Sequence, residues 1–167
     1  MRIIPKSEWG GKPATKTSKM PDSALGWIVH YNGPPVSLYI SGAQMMLGVQ
    51  RFHQVTKGWR DFAYSFGISQ EGEIFEGRGW NVVGGHTSGR FLGAANGLSN
   101  NSHAHAVFFM IGEGQSPSQA ALDAFAWLVN EGAKHGVPKR TTPHKVASPA
   151  LGTSCPGTAL TSITKSG

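Results

Sequence analysis

Apolar positions change period several times along this chain, and each change marks an element. Leu25 to Tyr31 (LGWIVHY) is a short apolar run rich in β-branched and aromatic residues, bounded by Gly26 and by Gly33-Pro34-Pro35. It predicts a buried strand with His30 near its end. From Ser41 the spacing becomes three and four, so that Met45, Met46, Val49, Phe52 and Val55 fall on one face of a helix ending before Gly58. Asp61 to Ser69 alternates, with Phe62, Tyr64, Phe66 and Ile68 against smaller residues, and Gln70-Glu71-Gly72 joins it to Glu73–Glu76 as a hairpin. Ala104 to Ile111 (AHAVFFMI) is continuously apolar, as in a strand covered on both faces. Ser116-Pro117-Ser118-Gln119 reads as a helix start, with Ser capping, Pro117 at the first helical position and Gln119 closing a capping box. Leu122, Phe125, Ala126 and Val129 form that helix's stripe and Gly136 its stop. Lys12 to Pro21 is a polar, exposed loop, and the C-terminal segment from Thr141 is loop-rich with a short helix from Thr158. The pattern predicts an α/β fold, a single mixed central β-sheet flanked by helices.

The chain has 167 residues, enough for one domain with a core. Charged residues are only 14% against 39% hydrophobic, which excludes a coiled coil and a charged disordered tail. The net charge of +6 is spread along the chain and points to an anionic partner: nucleic acid, a membrane surface or an anionic cell wall. No stretch approaches the ~18 apolar residues of a membrane span, so no membrane insertion is expected. Met1-Arg2-Ile3-Ile4-Pro5 lacks the apolar core of a signal peptide, so work outside a cytoplasm would need a separate route of release. Cys155, the single cysteine, has no internal disulfide partner and is a packing residue, a nucleophile or a metal ligand.

Seven histidines and one cysteine invite a zinc reading, because Zn²⁺ favours imidazole nitrogen and thiolate sulfur. No CxxC or HExxH pair is present, so the ligands would have to come from distant parts of the chain. Three positions stand out. His30 lies inside an apolar strand, where an unpaired imidazole costs ~1–3 kcal/mol and therefore needs a partner. His144 and Cys155 lie in a Pro/Gly-rich segment whose stiff turns can hold side chains over a strand end. Two histidines and a thiolate would leave a fourth tetrahedral position for water, the arrangement of a catalytic site.

Several motifs carry a family resemblance. Ile4-Pro5-Lys6-Ser7-Glu8-Trp9-Gly10, Trp27-Ile28-Val29-His30, and Phe52-His53 followed by Gly58-Trp59-Arg60-Asp61-Phe62-Ala63-Tyr64-Ser65-Phe66 come first. Val83-Gly84-Gly85-His86-Thr87, Pro143-His144 and Thr153-Ser154-Cys155-Pro156-Gly157 complete the series. Together, and in this order, they resemble the zinc-dependent N-acetylmuramoyl-L-alanine amidases of the amidase type 2 and peptidoglycan recognition protein family. Departures fall at Phe62, where Ile is usual, and at Lys145, where Arg is common. The resemblance implies one zinc ion on His30, His144 and Cys155, with Tyr64 and Thr153 assisting hydrolysis beside it. It places His53, Trp59, His86 and Thr87 in segments bordering a substrate groove. It implies cleavage of the amide between N-acetylmuramic acid and L-alanine by one domain over 1–167, either complete or the catalytic part of a longer modular lysin. Size, charge and the polar start suit a monomeric phage endolysin, made in the host cytoplasm and acting on the wall after release.

Other readings are a peptidoglycan-binding module without activity, since a fold can outlive its chemistry, and a basic nucleic-acid binder. The first is opposed by the filled ligand positions; the second has only charge and some aromatics behind it. Of the remaining histidines, His103, His105 and His135 read as ordinary packing or surface residues.

Overall fold

In the computed structural model, which describes residues 1–37, 39–91 and 97–164, six strands form one sheet. They are β1 (Ile3–Ile4), β2 (Gly26–Tyr31), β3 (Phe66–Ile68), β4 (Ile74–Glu76), β5 (Ala104–Phe109) and β6 (Thr141–Pro143). Their spatial order is β1-β4-β3-β5-β2-β6. Only β3 and β4 are antiparallel; the other neighbours run parallel, so the sheet is mixed, as the alternation of elements predicts. Helices α1 (Gly42–Arg51), α3 (Gln119–Lys134) and α5 (Gly157–Thr164) flank it, with short turns α2 (Asn100–His103) and α4 (His144–Ala147) at strand ends.

Side chains alternate across the sheet. Trp27, Val29 and Tyr31 of β2 share one face with Phe66, Ile68, Val107 and Phe109, under Phe125 and Leu128 of α3. On the opposite face Phe108 packs with Met46 of α1 and with Trp9, Phe62 and Phe75. A Cβ at Gly67 would lie 2.5 Å from Met46 Sδ, so the absence of a side chain there is what lets α1 close on β3.

Helix α1 begins in a capping box: the Ser41 side chain accepts from Gln44 N, and the Gln44 side chain accepts from Ser41 N at 3.0 Å. Its predicted apolar face is only partly the buried one. Gly42, Met46, Gln50 and His53 turn inward, whereas Phe52 and Val55 are 47% and 72% exposed. A π-helical turn over Phe52–Thr56, closed by Lys57 N to Phe52 O at 3.0 Å, is the cause, because the wider turn rotates His53 into the protein.

Helix α3 starts two residues later than expected. Ser118, not Ser116, is the cap and accepts from Ala121 N at 3.0 Å, while Gln119 bonds Asp123 instead of closing a box. Its buried positions are Ala121, Ala124, Phe125, Leu128 and Gly132, so only Phe125 of the predicted stripe faces inward fully. The reason is close approach: a Cβ on Gly132 would sit 2.5 Å from the Trp27 ring, so small residues let the helix settle on a large indole. Only Phe66–Ile68 of the long alternating run joins the ladder. Phe62 and Tyr64 pack on the α1 face and Phe66 and Ile68 on the α3 face, so the chain changes face between them.

Candidate metal centre and cleft

Register brings the two histidines together. In the parallel pair β2 and β6, Trp27 lies beside Thr141, Ile28 beside Thr142 and Val29 beside Pro143, so the next residues are His30 and His144. Pro143 has no N–H to extend the ladder, and His144 opens α4 with its ring 4.4 Å from that of His30. Both therefore sit at the carboxyl ends of parallel strands, where α/β sheets leave room for ligands.

Cys155 arrives on a loop fixed at several points. Its carbonyl accepts from Lys145 N (2.9 Å), its N–H donates to Thr153 Oγ1 (3.1 Å), and Ser154 Oγ lies 3.0 Å from the Tyr31 hydroxyl. Tyr31 donates to Glu113 Oε2 at 2.8 Å, so Ser154 is the donor toward Tyr31. Cys155 Sγ is 3.7 Å from His30 Nδ1, and one ligand atom from each of His30, His144 and Cys155 lies within 4.8 Å of the others.

A chain of hydrogen bonds sets the tautomer of His30. His86 Nε2 faces the Ala104 carbonyl at 3.3 Å, an acceptor only, so this nitrogen carries the proton and His86 Nδ1 accepts from Thr87 Oγ1 at 2.9 Å. The Thr87 oxygen in turn accepts from His30 Nε2 at 3.2 Å. His30 Nδ1 is left with its lone pair facing Cys155 and His144, ready to ligate. The His86–Thr87 turn is held by Asn101, whose Oδ1 accepts both backbone N–H groups at 2.9 Å each. At Gly84 a Cβ would lie 2.3 Å from the His86 ring, so the turn needs glycine there.

Both ring nitrogens of His144 are buried without a hydrogen-bond partner among the described residues. Such orphaned groups cost about 1–3 kcal/mol each, and a cation at this cluster would remove part of that cost. Burial pushes His144 down to about 4 and His30 well below its usual range, the latter helped by His144 and His86, so both imidazoles are neutral and free to ligate. Burial also pushes the Cys155 thiol up to about 12, against a smaller opposing effect of the Tyr31 amide. That disfavours the nucleophile reading, since nucleophilic cysteines need a depressed pKa, whereas a coordinated thiol loses its proton to the metal. The donor set fits a divalent cation that accepts imidazole and thiolate.

A cleft of about 530 Å³ reaches the cluster at His144 and is lined by Trp59, Arg60, Arg78, His86 and Asn101 among others. Tyr64 and His53 face a neighbouring apolar hollow of about 420 Å³ with Phe52 and Phe108. Tyr64 stacks on Phe108 (5.1 Å) and lies 4.9 Å from the His30 ring; burial, then the Cys155 charge, raises its pKa and keeps the phenol protonated. His53 accepts from Ala63 N at 3.1 Å and stacks on Trp59 at 4.9 Å. Burial first, then Arg78 and Lys57, lowers His53 to about 4. Trp59 is 42% exposed toward the cleft, but Thr87 is only 1% exposed and spans two histidines beneath the surface. Thr87 thus orients His30 instead of bordering the groove.

Two residues escape the sequence reading. Arg78 donates to Phe62 O (2.7 Å) and Val83 O (2.8 Å), which fixes its guanidinium on the cleft wall. Its signal was the Gly77-Arg78-Gly79 turn; a Cβ at Gly77 would meet Tyr64 O at 2.4 Å. Asn101 sits in a stretch with no periodicity, so no local signal marked it.

A family model described as N-acetylmuramoyl-L-alanine amidase matches residues 25–158. Among curated relatives, the human N-acetylmuramoyl-L-alanine amidase is 40% identical over 91 residues, covering 52% of this chain and 16% of that protein. Peptidoglycan-recognition protein SC2 of Drosophila melanogaster is 36% identical over 87 residues, 52% of this chain and 47% of its own length. The chain thus spans less than half the length of these relatives. Among solved structures, Drosophila PGRP-LB superposes with a TM-score of 0.82 at 27% identity, covering 99% of this chain and 93% of that one. A point variant of PGRP-LB solved in complex with tracheal cytotoxin gives 0.81 at 27% identity, covering 99% and 94%. With the motif order, the fold and the match over residues 25–158 in agreement, the chain belongs to the N-acetylmuramoyl-L-alanine amidase (amidase type 2) family, which includes the peptidoglycan recognition proteins.

Proposed function

We propose that this chain hydrolyses the amide between N-acetylmuramic acid and L-alanine in bacterial peptidoglycan, with one zinc ion on His30, His144 and Cys155. The observation that carries this reading is the convergence of three ligand atoms around an imidazole with no other partner for either nitrogen. Zinc bound there would act as a Lewis acid and lower the pKa of a bound water to roughly 7. The protein's own groups supply the rest. Thr87 holds the His30 ring in the ligating tautomer. Tyr64, kept protonated by burial, donates to the carbonyl oxygen as negative charge develops on it. The Thr153 oxygen is occupied by the Cys155 N–H, which leaves its own proton free for the same oxyanion. Arg60, Arg78 and Lys16 line the cleft as cations for the carboxylates of a peptide stem, and Trp59 offers an apolar wall.

A second reading is recognition without cleavage, favoured by relatives named as peptidoglycan recognition proteins. The complete ligand set favours the enzyme. Digestion of purified peptidoglycan is the test: the proposal expects new L-alanine amino termini without new reducing sugar ends, stopped by EDTA and restored by zinc. Reducing ends that persist in chelator would overturn both bond and metal. Binding without release would establish recognition alone. Service as a monomeric phage endolysin, made in a host cytoplasm and released to the wall, belongs to the same proposal. It is supported by the basic charge.

A further inference from the structure

Several exposed cations form no ion pair among the described residues. Lys12, Lys16, Arg51, Lys57 and Arg60 are all exposed. The ion pairs among the described residues are Arg2–Glu8, Lys6–Asp61, His103–Asp22 and Lys134–Glu131, and none uses these five. From Trp9 to Arg60 the only acidic residue is Asp22, which is taken by His103 at 2.7 Å. The next carboxylate, Asp61, is buried and accepts from Lys6 Nζ (2.5 Å), Gln50 Nε2 (2.9 Å) and Phe62 N (2.7 Å), so its charge is spent inside the protein.

The platform under these cations is held in place. Gln50 clamps Lys12 through both backbone groups at 2.9 Å each. Gln54 reaches Pro13 O and Arg60 O at 3.3 Å each, and Thr15 N donates to Arg60 O at 2.9 Å. The Lys12–Thr15 strap is thereby tied across the end of α1 onto Arg60. On one side of it lies a hollow of about 530 Å³ lined by Lys12, Arg51, Leu47 and Val55; on the other is the cleft with Lys16, Arg60 and Arg78. A ridge of positive charge therefore leads from an outer hollow to the cleft that His144 lines.

We propose that this ridge docks a phosphodiester-linked polyol polymer, the polyanionic component of a bacterial wall, and holds the enzyme beside its peptidoglycan substrate. Repeated single charges on a flexible chain match unpaired cations along a line, and the C–H faces of a polyol match the Leu47 and Val55 wall. Nucleic acid is the poorer fit because the outer hollow beside Lys12 and Arg51 is walled by aliphatic Leu47 and Val55, with no aromatic ring among its lining to stack on a base. A lipid surface is also poorer, since Leu47 and Val55 share their hollow with the polar Lys12, Gln50, Arg51 and Gln54. The inference rests on the peptidoglycan reading only for its choice of polymer.

The test compares the full chain with a Lys12→Gln, Arg51→Gln double variant, two residues that line the outer hollow and not the cleft. Binding to purified polyglycerol phosphate is measured by calorimetry across a salt series. The expected result is binding weakened about tenfold or more in the variant, with the log–log salt slope reduced by about 1.4, at roughly 0.7 per neutralised phosphate of a flexible strand. Amino-terminus release should drop on intact sacculi and match the parent on sacculi stripped of phosphate polymer. Equal polymer binding by parent and variant would overturn the proposal, as would tighter binding of duplex DNA or anionic vesicles at equal phosphate. Because binding is read without catalysis, failure of the amidase reading and failure of this docking surface give different outcomes.

Discussion

Two buried histidines on neighbouring strands, one on each face of the sheet, show what separates an imidazole satisfied within the protein from a candidate ligand. His105 pairs in register with Trp27 on the α3 face. Its Nε2 accepts from Asn81 N and its Nδ1 reaches Ser23 Oγ, both at 3.2 Å, so both nitrogens are occupied by the protein itself. His30, on the opposite face, has only Nε2 occupied by an ordinary donor–acceptor chain, and its Nδ1 faces a thiol and an imidazole with no partners of its own. Both rings are buried and both have lowered pKa values, chiefly through burial. Burial and pKa therefore do not distinguish them. The difference is convergence: unsatisfied donor atoms from three distant segments point at one place.

That contrast is open to four tests. The largest effect is expected on the His30 face: Cys155→Ser should lose the metal and at least about 10³-fold in amidase rate, since Lewis-acid activation is worth several kcal/mol. Stoichiometric zinc with full activity would remove Cys155 from the centre. Tyr64→Phe should lower kcat by about 10²–10³ with metal content unchanged, the cost of one oxyanion donor; an unaltered kcat would make Tyr64 a packing residue beside Phe108.

Thr87→Val should weaken metal affinity by about 10–100-fold, read by competition with a chelator, while Thr87→Ser restores it through the hydroxyl. Equal loss in both variants would show that the site needs the shape of Thr87 and not its hydrogen bonds. The smallest effect belongs to the other face and is one of stability. His105 is held at about 4 in the fold, by burial and then by the His135 charge, against an ordinary 6.5. Below 6.5 the unfolded chain takes up a proton that the folded one refuses until about 4. This contribution to stability is therefore complete above that window and lost as pH falls through it, by at most about 1.4 kcal/mol per pH unit. Urea midpoints of His105→Gln should fall less steeply with acid than those of the parent. Identical slopes would mean that His105 accepts its proton without resistance.

Much of this was legible residue by residue. The apolar run at Leu25–Tyr31, the hairpin link at Gln70-Glu71-Gly72 and the glycine stop at Gly136 act through neighbours in the chain, and the structure keeps all three. Motif order also pointed to His30, His144 and Cys155, which the fold brings together. The helix faces were less legible. Hydrophobicity favoured Phe52 and Val55 of the first helix and Leu122, Ala126 and Val129 of the third. A π-turn and the bulk of Trp27 decided instead for His53 and for Ala121, Ala124 and Gly132. The role of Thr87 was equally hidden, because its hydroxyl matters through His30, 57 residues away in sequence.

Local patterning thus determined the longer strands and helices, because backbone preference and period act over a few residues, whereas β1 and β6, the latter in a segment expected to be loop, form by pairing with β4 and β2. Composition determined the excess of positive charge, and the family resemblance of the motifs named the candidate ligands. Which side of each helix is buried, which histidine is left unsatisfied and which cations stand unpaired depended on register and close approach between distant segments. The parallel placement of β6 beside β2 is the clearest case: it puts His144 next to His30, although 114 positions separate them in a chain whose local pattern carries no trace of that neighbour.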